Sequence, residues 1–337
     1  MKILVCGGAG FIGSNFIRHI LSVREDVTVV NYDKLTYAGN LENLADLAGH
    51  PRYAFIQGDI CDMEVLDGVF LEHAPDVIIN FAAETHVDRS IHVGSREFVM
   101  TNVIGVQTLL DAARRHKTGR MIQISTDEVY GTLQLDEDRK FTEATAFEPN
   151  PPYAAAKAGG DLLCRAYFRT FGVPVIVTHC SNNYGPYQFP EKLIPYAIFN
   201  AMEDKPVPIY GDGLYVRDWI HVVDHARAIQ CILEKGEPGE VYNIGADNER
   251  ANIDVVKMIL GELGKPETLT TTVQDRPGHD RRYAIDAAKI EALGWKPEYT
   301  AEKFAEGLRE TINWYRENIA WVEALRKRQA EINAHIR

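Results

Sequence analysis

Lys2-Ile3-Leu4-Val5-Cys6, running straight into Gly7-Gly8-Ala9-Gly10-Phe11-Ile12-Gly13, decides the fold of this chain. A short apolar strand, a glycine-rich turn and the start of an apolar helical pattern follow one another without a break. The spacing Gly7-x-x-Gly10-x-x-Gly13 is one residue longer than the common G-x-G-x-x-G, and its physical demand is the same. Gly7 permits a tight turn, Gly10 lets backbone amides approach a pyrophosphate, and Gly13 lets the helix lie close on the sheet. A helix N-terminus then stabilises the phosphate charge. The motif predicts a dinucleotide site lined by Gly7, Gly10, Phe11, Ile12 and Gly13.

Outward from this motif, β-branched runs alternate with amphipathic stretches. The pattern predicts strands over 2–6, 27–32, 53–57, 77–81, 121–125 and 175–179, with helices over 11–22, 95–116 and 152–171 between them. Such alternation implies a Rossmann-type α/β fold: a doubly wound parallel sheet, with ligands beyond the carboxyl ends of the strands. After Ser181 the rhythm changes and Pro and Gly become dense. Short strand-like pieces at 207–210, 241–244 and 283–285 mix with helical patterns at 222–235, 253–263, 301–318 and 320–337. We expect an NAD-binding domain over 1–180, rejoined by some later segments, and a smaller mixed α/β substrate domain made mainly of 181–337. A crevice between them is the natural ligand site.

Composition narrows the function. With 337 residues, 45% hydrophobic and 25% charged, the chain reads as an ordinary globular protein. A net charge of −12 argues against nucleic acid as a partner, and no apolar run approaches a bilayer span. No signal peptide is evident. The five cysteines form no C-x-x-C pair, which suggests reduced thiols and a cytoplasmic setting. His221 and His225 are spaced like helical metal ligands but lack a third ligand, so no metal is expected.

Asp33 stands at the end of the second predicted strand, twenty residues after Gly13. A carboxylate there accepts hydrogen bonds from a ribose diol and repels a 2′-phosphate, which favours NAD over NADP. Asp59 and Ile60 after the third strand, and Ala82 and Ala83 after the fourth, occupy positions where the cofactor would pass.

The chemistry is carried by Ser125-Thr126-Asp127-Glu128-Val129-Tyr130, and by Tyr153 and Lys157. Tyr153 and Lys157 share one helical face. An ammonium and an oxidised nicotinamide favour the phenolate, which could take an alcohol proton as hydride leaves the same carbon. Thr126 could hydrogen-bond the same sugar oxygen. Asp127 and Glu128 leave the strand in diverging directions and can address neighbouring substrate atoms. Partial burial and mutual repulsion would keep one of them protonated as an acid.

These segments resemble the extended short-chain dehydrogenase/reductases and, within them, the dTDP-glucose 4,6-dehydratase family. The carriers are GGAGFIGSNF at 7–16, DKLTYAGN at 33–40, AAETHVDRSI at 82–91, STDEVYG at 125–131 and YAAAK at 153–157. CSNNYGPYQFPEKLIP at 180–195, PIYGDG at 208–213, RDWIHVVDH at 217–225 and DRPGHDRRY at 275–283 extend the resemblance over the whole chain. It implies a reaction on one retained NAD. Tyr153, helped by Thr126 and Lys157, deprotonates the C4 hydroxyl as hydride leaves. Glu128 removes the C5 proton, Asp127 protonates the departing C6 hydroxyl, and hydride returns to C6. The resemblance adds Lys34, Leu35, Thr36, Thr101 and Asn183 to the cofactor residues. Its substrate contacts map to His86, Asn182, Lys192, Leu193, Pro208, Ile209 and Tyr210. Arg217, Asn252, Asp275, Arg276 and His279 complete them. It further implies a homodimer formed through the helices at 95–116 and 152–171. Two departures stand out: alanines inside Tyr153–Lys157, and His179 where relatives usually carry Arg. A dehydratase of another nucleotide sugar, a 4-epimerase and a non-catalytic NAD-binding regulator remain as alternatives. The Asp127-Glu128 pair counts against an epimerase, which needs no C5 base and no C6 acid.

Overall fold

The structure is a computed structural model that describes residues 1–334, with side chains through 326. The six strands predicted between residues 2 and 179 all form: β1 (Lys2–Cys6), β2 (Thr28–Asp33), β3 (Tyr53–Gln57), β4 (Val77–Asn80), β5 (Arg120–Thr126) and β6 (Val175–Cys180). Beyond them lie β7 (Asn182–Tyr184), β8 (Val207–Tyr210), β9 (Val216–His221), β10 (Val241–Ile244), β11 (Glu249–Ala251) and β12 (Thr270–Val273). The main sheet is parallel, in the order β10-β6-β5-β4-β1-β2-β3.

The strands are mainly apolar because helices cover both faces, with Asn31, Asn80 and Gln123 among the buried polar exceptions. In β1, Ile3 and Val5 join a core with Phe16, Ile17, Ile20 and Ile229. Leu4 and Cys6 point the other way, into a core with Val106, Leu109, Leu110 and Cys164. Each fully buried aliphatic side chain contributes roughly 1.5–3 kcal/mol. The chain winds outward from β1 in both directions, so a crevice opens where β1 and β4 lie side by side. A third core, with Ile198, Trp219, Val255 and Phe304, supports two small sheets, β11-β9-β7 and β12-β8.

Several elements differ from expectation. The 241–244 strand reads in sequence with the smaller unit, though some later segments are expected to rejoin the first domain. This strand joins the main sheet beside β6, and the helix Val222–Lys235 lies against the helix Phe11–Val23. The 283–285 segment is not a strand. Ile285 makes one isolated bridge to Phe141, and the preceding Arg282 makes two more, to Leu133 and Val216. The helix expected over 95–116 contains a wider turn at Met100–Gly105, between Arg96–Val99 and Val106–His116. The last helix runs Ile319–Ala334, and residues 335–337 lie outside the described residues. Among the described residues no helix is long and apolar enough to cross a membrane.

Candidate active site

Two connected cavities, of about 250 Å³ and about 90 Å³, follow the carboxyl ends of the strands and share Gly7, Gly10, Ala38, Phe81 and Ala83. Their first wall is built from backbone. Gly7 has φ +75°, and a Cβ on it would lie 2.5 Å from Ala82 N. A Cβ on Gly13 would lie 2.4 Å from Gly7 O, so the helix can start this close to the turn only without a side chain. Phe11 and Ile12 line the larger cavity. Asp33, Lys34, Thr36, Asp59, Ile60, Ala82 and Thr101 line the smaller one. The Asp33 carboxylate also organises its own loop, accepting from Ala9 N at 2.9 Å and from Leu35 N at 2.8 Å. Leu35 lies outside both linings, its positive φ of 59° turning the chain. Lys34 pairs with Asp59 at 2.7 Å.

The larger cavity brings together Thr126, Asp127, Glu128, Tyr153 and Lys157, with Asn182, Asn183 and Lys192. The short turn Asp127–Tyr130 leaves β5 directly, and the Thr126 hydroxyl caps it by accepting from Glu128 N at 3.3 Å. This cap fixes the direction in which the two carboxyls leave the sheet. Asp127 is 1% exposed, and its Oδ2 has no hydrogen-bond partner among the described residues. Burial, then Glu128 and Asp218, hold its carboxyl well above the usual range. Burial also raises Glu128, but Arg276, Arg217 and Lys192 pull it back. Of the two, Asp127 is therefore set to keep a proton and Glu128 to lose one.

Tyr153 is buried, and burial followed by the charge of Glu128 raises its phenol well above the ordinary value, while a hydrogen bond with Thr126 opposes the rise. Lys157 is buried too, and burial lowers it. Its Nζ donates to the Ile124 carbonyl at 2.7 Å.

The other expected substrate residues do not line these cavities. His86 faces Glu191 at 3.4 Å, and Leu193 starts the helix Leu193–Met202. Pro208, Ile209 and Tyr210 form the end of β8. Arg217 is 5% exposed, lies 4.2 Å from the Tyr283 ring centroid and donates to the Asp280 carbonyl at 2.9 Å. Asp275 meets His279 at 2.7 Å and also accepts from Tyr215. Arg276 and Tyr210 reach the same residue, Asp88. The Asn252 Oδ1 is buried without a partner among the described residues.

The sequence model of the GDP-mannose 4,6 dehydratase family matches residues 4–311. The chain belongs to this family. A dTDP-glucose 4,6-dehydratase of Neisseria meningitidis is 54% identical over 95% of this chain and 94% of its own. The structure of dTDP-glucose 4,6-dehydratase from Bacillus anthracis in complex with NAD superposes with a TM-score of 0.89 at 49% identity, covering 96% of this chain and 99% of that one. A dTDP-glucose 4,6-dehydratase from Streptomyces venezuelae with NAD bound gives 0.92 at 47%, covering 96% and 100%.

Within this GDP-mannose 4,6 dehydratase family member, some cleft residues escaped the sequence reading. Tyr37 donates to Glu191 Oε1 at 3.2 Å and meets Phe189 edge to face, bridging the loops after β2 and β7. Both Tyr37 and Glu191 lie inside quoted motifs, but nothing local marks them as partners. Asp218 holds Ala246 N and Asn248 N, and burial pushes it up to about 6. His179 lies behind the cleft, its Nε2 3.2 Å from Asp161 and its Nδ1 2.6 Å from the Tyr130 hydroxyl. His225 Nδ1 meets Asn183 Oδ1 at 2.9 Å, and among the described residues no group of three potential metal ligands occurs.

Proposed function

We propose that this protein is a dTDP-glucose 4,6-dehydratase, an NAD-dependent hydro-lyase that forms dTDP-4-keto-6-deoxy-glucose and water. The single observation behind the chemistry is the pair at the end of β5. Asp127 is buried and Glu128 beside it half-buried; both carboxyls are raised, Asp127 the more strongly, and they line one cavity with Tyr153. The names of the relatives support the substrate.

The glycine cradle fits NAD, since the space a Cβ on Gly7 or Gly13 would need is already filled by neighbouring backbone. When bound, NAD accepts the C4 hydride and later returns it to C6. Tyr153 takes the C4 hydroxyl proton. Its phenol stays neutral in the protein alone, so the positive charges of Lys157 and the bound nicotinamide are needed to release the proton. The C4 ketone acidifies the C5 proton, which Glu128 removes. Asp127 delivers its proton to the C6 hydroxyl, and the C6–O bond breaks to release water. Glu128 then returns the C5 proton. Arg217 and Arg276 carry the charge to meet the diphosphate.

We place the enzyme in the cytoplasm as a homodimer. The free cysteines agree with a reducing setting. Val99, Met100, Ile104 and Leu162 leave apolar surface exposed on two neighbouring helices, which agrees with a subunit interface.

The test is incubation of purified protein with dTDP-glucose and no added NAD, followed by mass spectrometry. Loss of one water without net NADH is the expected result. Conversion to a sugar isomer of unchanged mass would mean an epimerase. No change, even with NAD supplied, would remove the proposed substrate.

A further inference from the structure

Lys157 is a buried cation, and a buried cation needs a counter-charge to stay protonated. Its one hydrogen bond among the described residues goes to a neutral carbonyl, that of Ile124. The ionisable groups that face it are Asp161 on its own helix, Cys164 one turn further, and Cys180 from β6. Burial pushes Cys180 up to about 12 and Cys164 well above its ordinary range, so both thiols are neutral. Asp161 is the one carboxyl group among the three.

Asp161 is 4% exposed and lies on the helix Pro152–Phe171. Tyr153, Lys157 and Asp161 recur every four residues and share one face of that helix. Ser125 Oγ donates to Asp161 Oδ2 at 2.6 Å, and His179 Nε2 lies 3.2 Å from the same oxygen. Ser125 and His179 are paired neighbours on β5 and β6. Ser125 also directly follows Ile124, where the Lys157 ammonium is held. Behind His179 the chain of contacts continues through Tyr130 to Asn243 Oδ1, 2.9 Å from the phenol oxygen. Asp161 Oδ1 has no hydrogen-bond partner among the described residues. A carboxylate kept this dry and only half hydrogen-bonded is a costly way to fill space. An opposite charge nearby gives it a purpose.

We propose that Asp161, clamped by Ser125 and His179, is a positioning residue: the counter-ion that holds the Lys157 ammonium in place behind Tyr153. The inference rests on the roles given above to Tyr153 and Lys157.

Asp161→Asn removes the charge and keeps the shape. Lys157 then loses its proton at lower pH. In a pH series with dTDP-glucose, the high-pH limb of kcat should move down by about one unit, and kcat near pH 8 should fall about ten-fold. KM should stay within about two-fold. Ser125→Ala keeps the charge but loosens the clamp, and should shift the limb less in the same direction. Asp161→Glu should recover part of the loss. Competitive labelling of Lys157 with a small acylating reagent, read by peptide mass spectrometry, gives the same midpoint without turnover. It therefore covers a variant that is folded but inactive. A labelling midpoint equal in wild type and Asp161→Asn would sink the pairing, even if kcat or Tm fell. Wild-type protein that leaves dTDP-glucose unchanged would sink the reading beneath, and the labelling shift would still decide the pairing.

Discussion

The two walls of the cleft are made differently. The cofactor wall is backbone: glycines with no room for a Cβ, a helix start, and a carboxylate that ties Ala9 and Leu35 together. The wall we propose for the sugar nucleotide lies beyond the lining of the two cavities and is side chain: Arg217 on Tyr283, Arg276 on Asp88, His279 on Asp275. A backbone wall cannot yield to a substitution, because its neighbours are fixed peptide groups. A side-chain wall satisfies its own charges while waiting, and can exchange those partners for a ligand. The first wall should therefore fail outright when altered, and the second by degrees.

The largest effect is expected where the walls meet. Glu128→Gln should lower kcat by about 10²–10⁴-fold. On the proposed roles, oxidation at C4 does not use Glu128, so bound reduced cofactor should accumulate at 340 nm. An equal loss without that absorbance would make Glu128 a binding residue. Next comes Gly13→Ala. Its Cβ would meet Gly7 O at 2.4 Å. It should cost roughly 1–3 kcal/mol and reduce the NAD released on denaturation about ten-fold or more. Unchanged cofactor content would break the comparison. Arg276→Ala tests the yielding wall: KM for dTDP-glucose should rise about ten-fold, about 1.4 kcal/mol, with bound NAD unchanged.

The smallest effect lies in the seam behind β7. Burial lowers His221 to about 4 and His225 to about 3, from an ordinary 6.5. Both stay neutral in the folded chain while the unfolded chain takes up protons. Their contribution is complete above pH 6.5 and is lost as the pH falls towards the folded values. Near pH 5 the loss is roughly 2 kcal/mol for each. Urea unfolding at pH 7 and pH 5 should show it, and His225→Asn should flatten the slope.

The same contrast explains what could be read from the sequence. The strand, glycine turn and helix are contiguous, so 2–13 specified the first wall and the parallel sheet by local pattern alone. Asp127 and Glu128 were visible because they sit next to each other after a strand. What sets them apart was not visible, since Asp218, Arg217 and Arg276 reach them from distant segments. The strand Val241–Ile244 looked like its neighbours in sequence, but its place beside β6 is set by where the chain returns. The 283–285 stretch has a strand's composition, yet it makes a single bridge, from Ile285 to Phe141, while the preceding Arg282 bridges two other segments at Leu133 and Val216. His179 was legible only as an oddity. Its meaning lies in Asp161 and Tyr130, which meet it from two other segments.

The bridge from Tyr37 to Glu191 spans the cleft from one loop to the other. Arg89 lies 4.7 Å from the Tyr37 ring centroid, and His86 lies 3.4 Å from the far oxygen of Glu191. If the proposed NAD sits under this strap, it is not traded with the surrounding pool. The enzyme then spends no reducing equivalents and borrows none. Its flux follows the supply of sugar nucleotide and is blind to whether the cell around it is rich or poor in NADH.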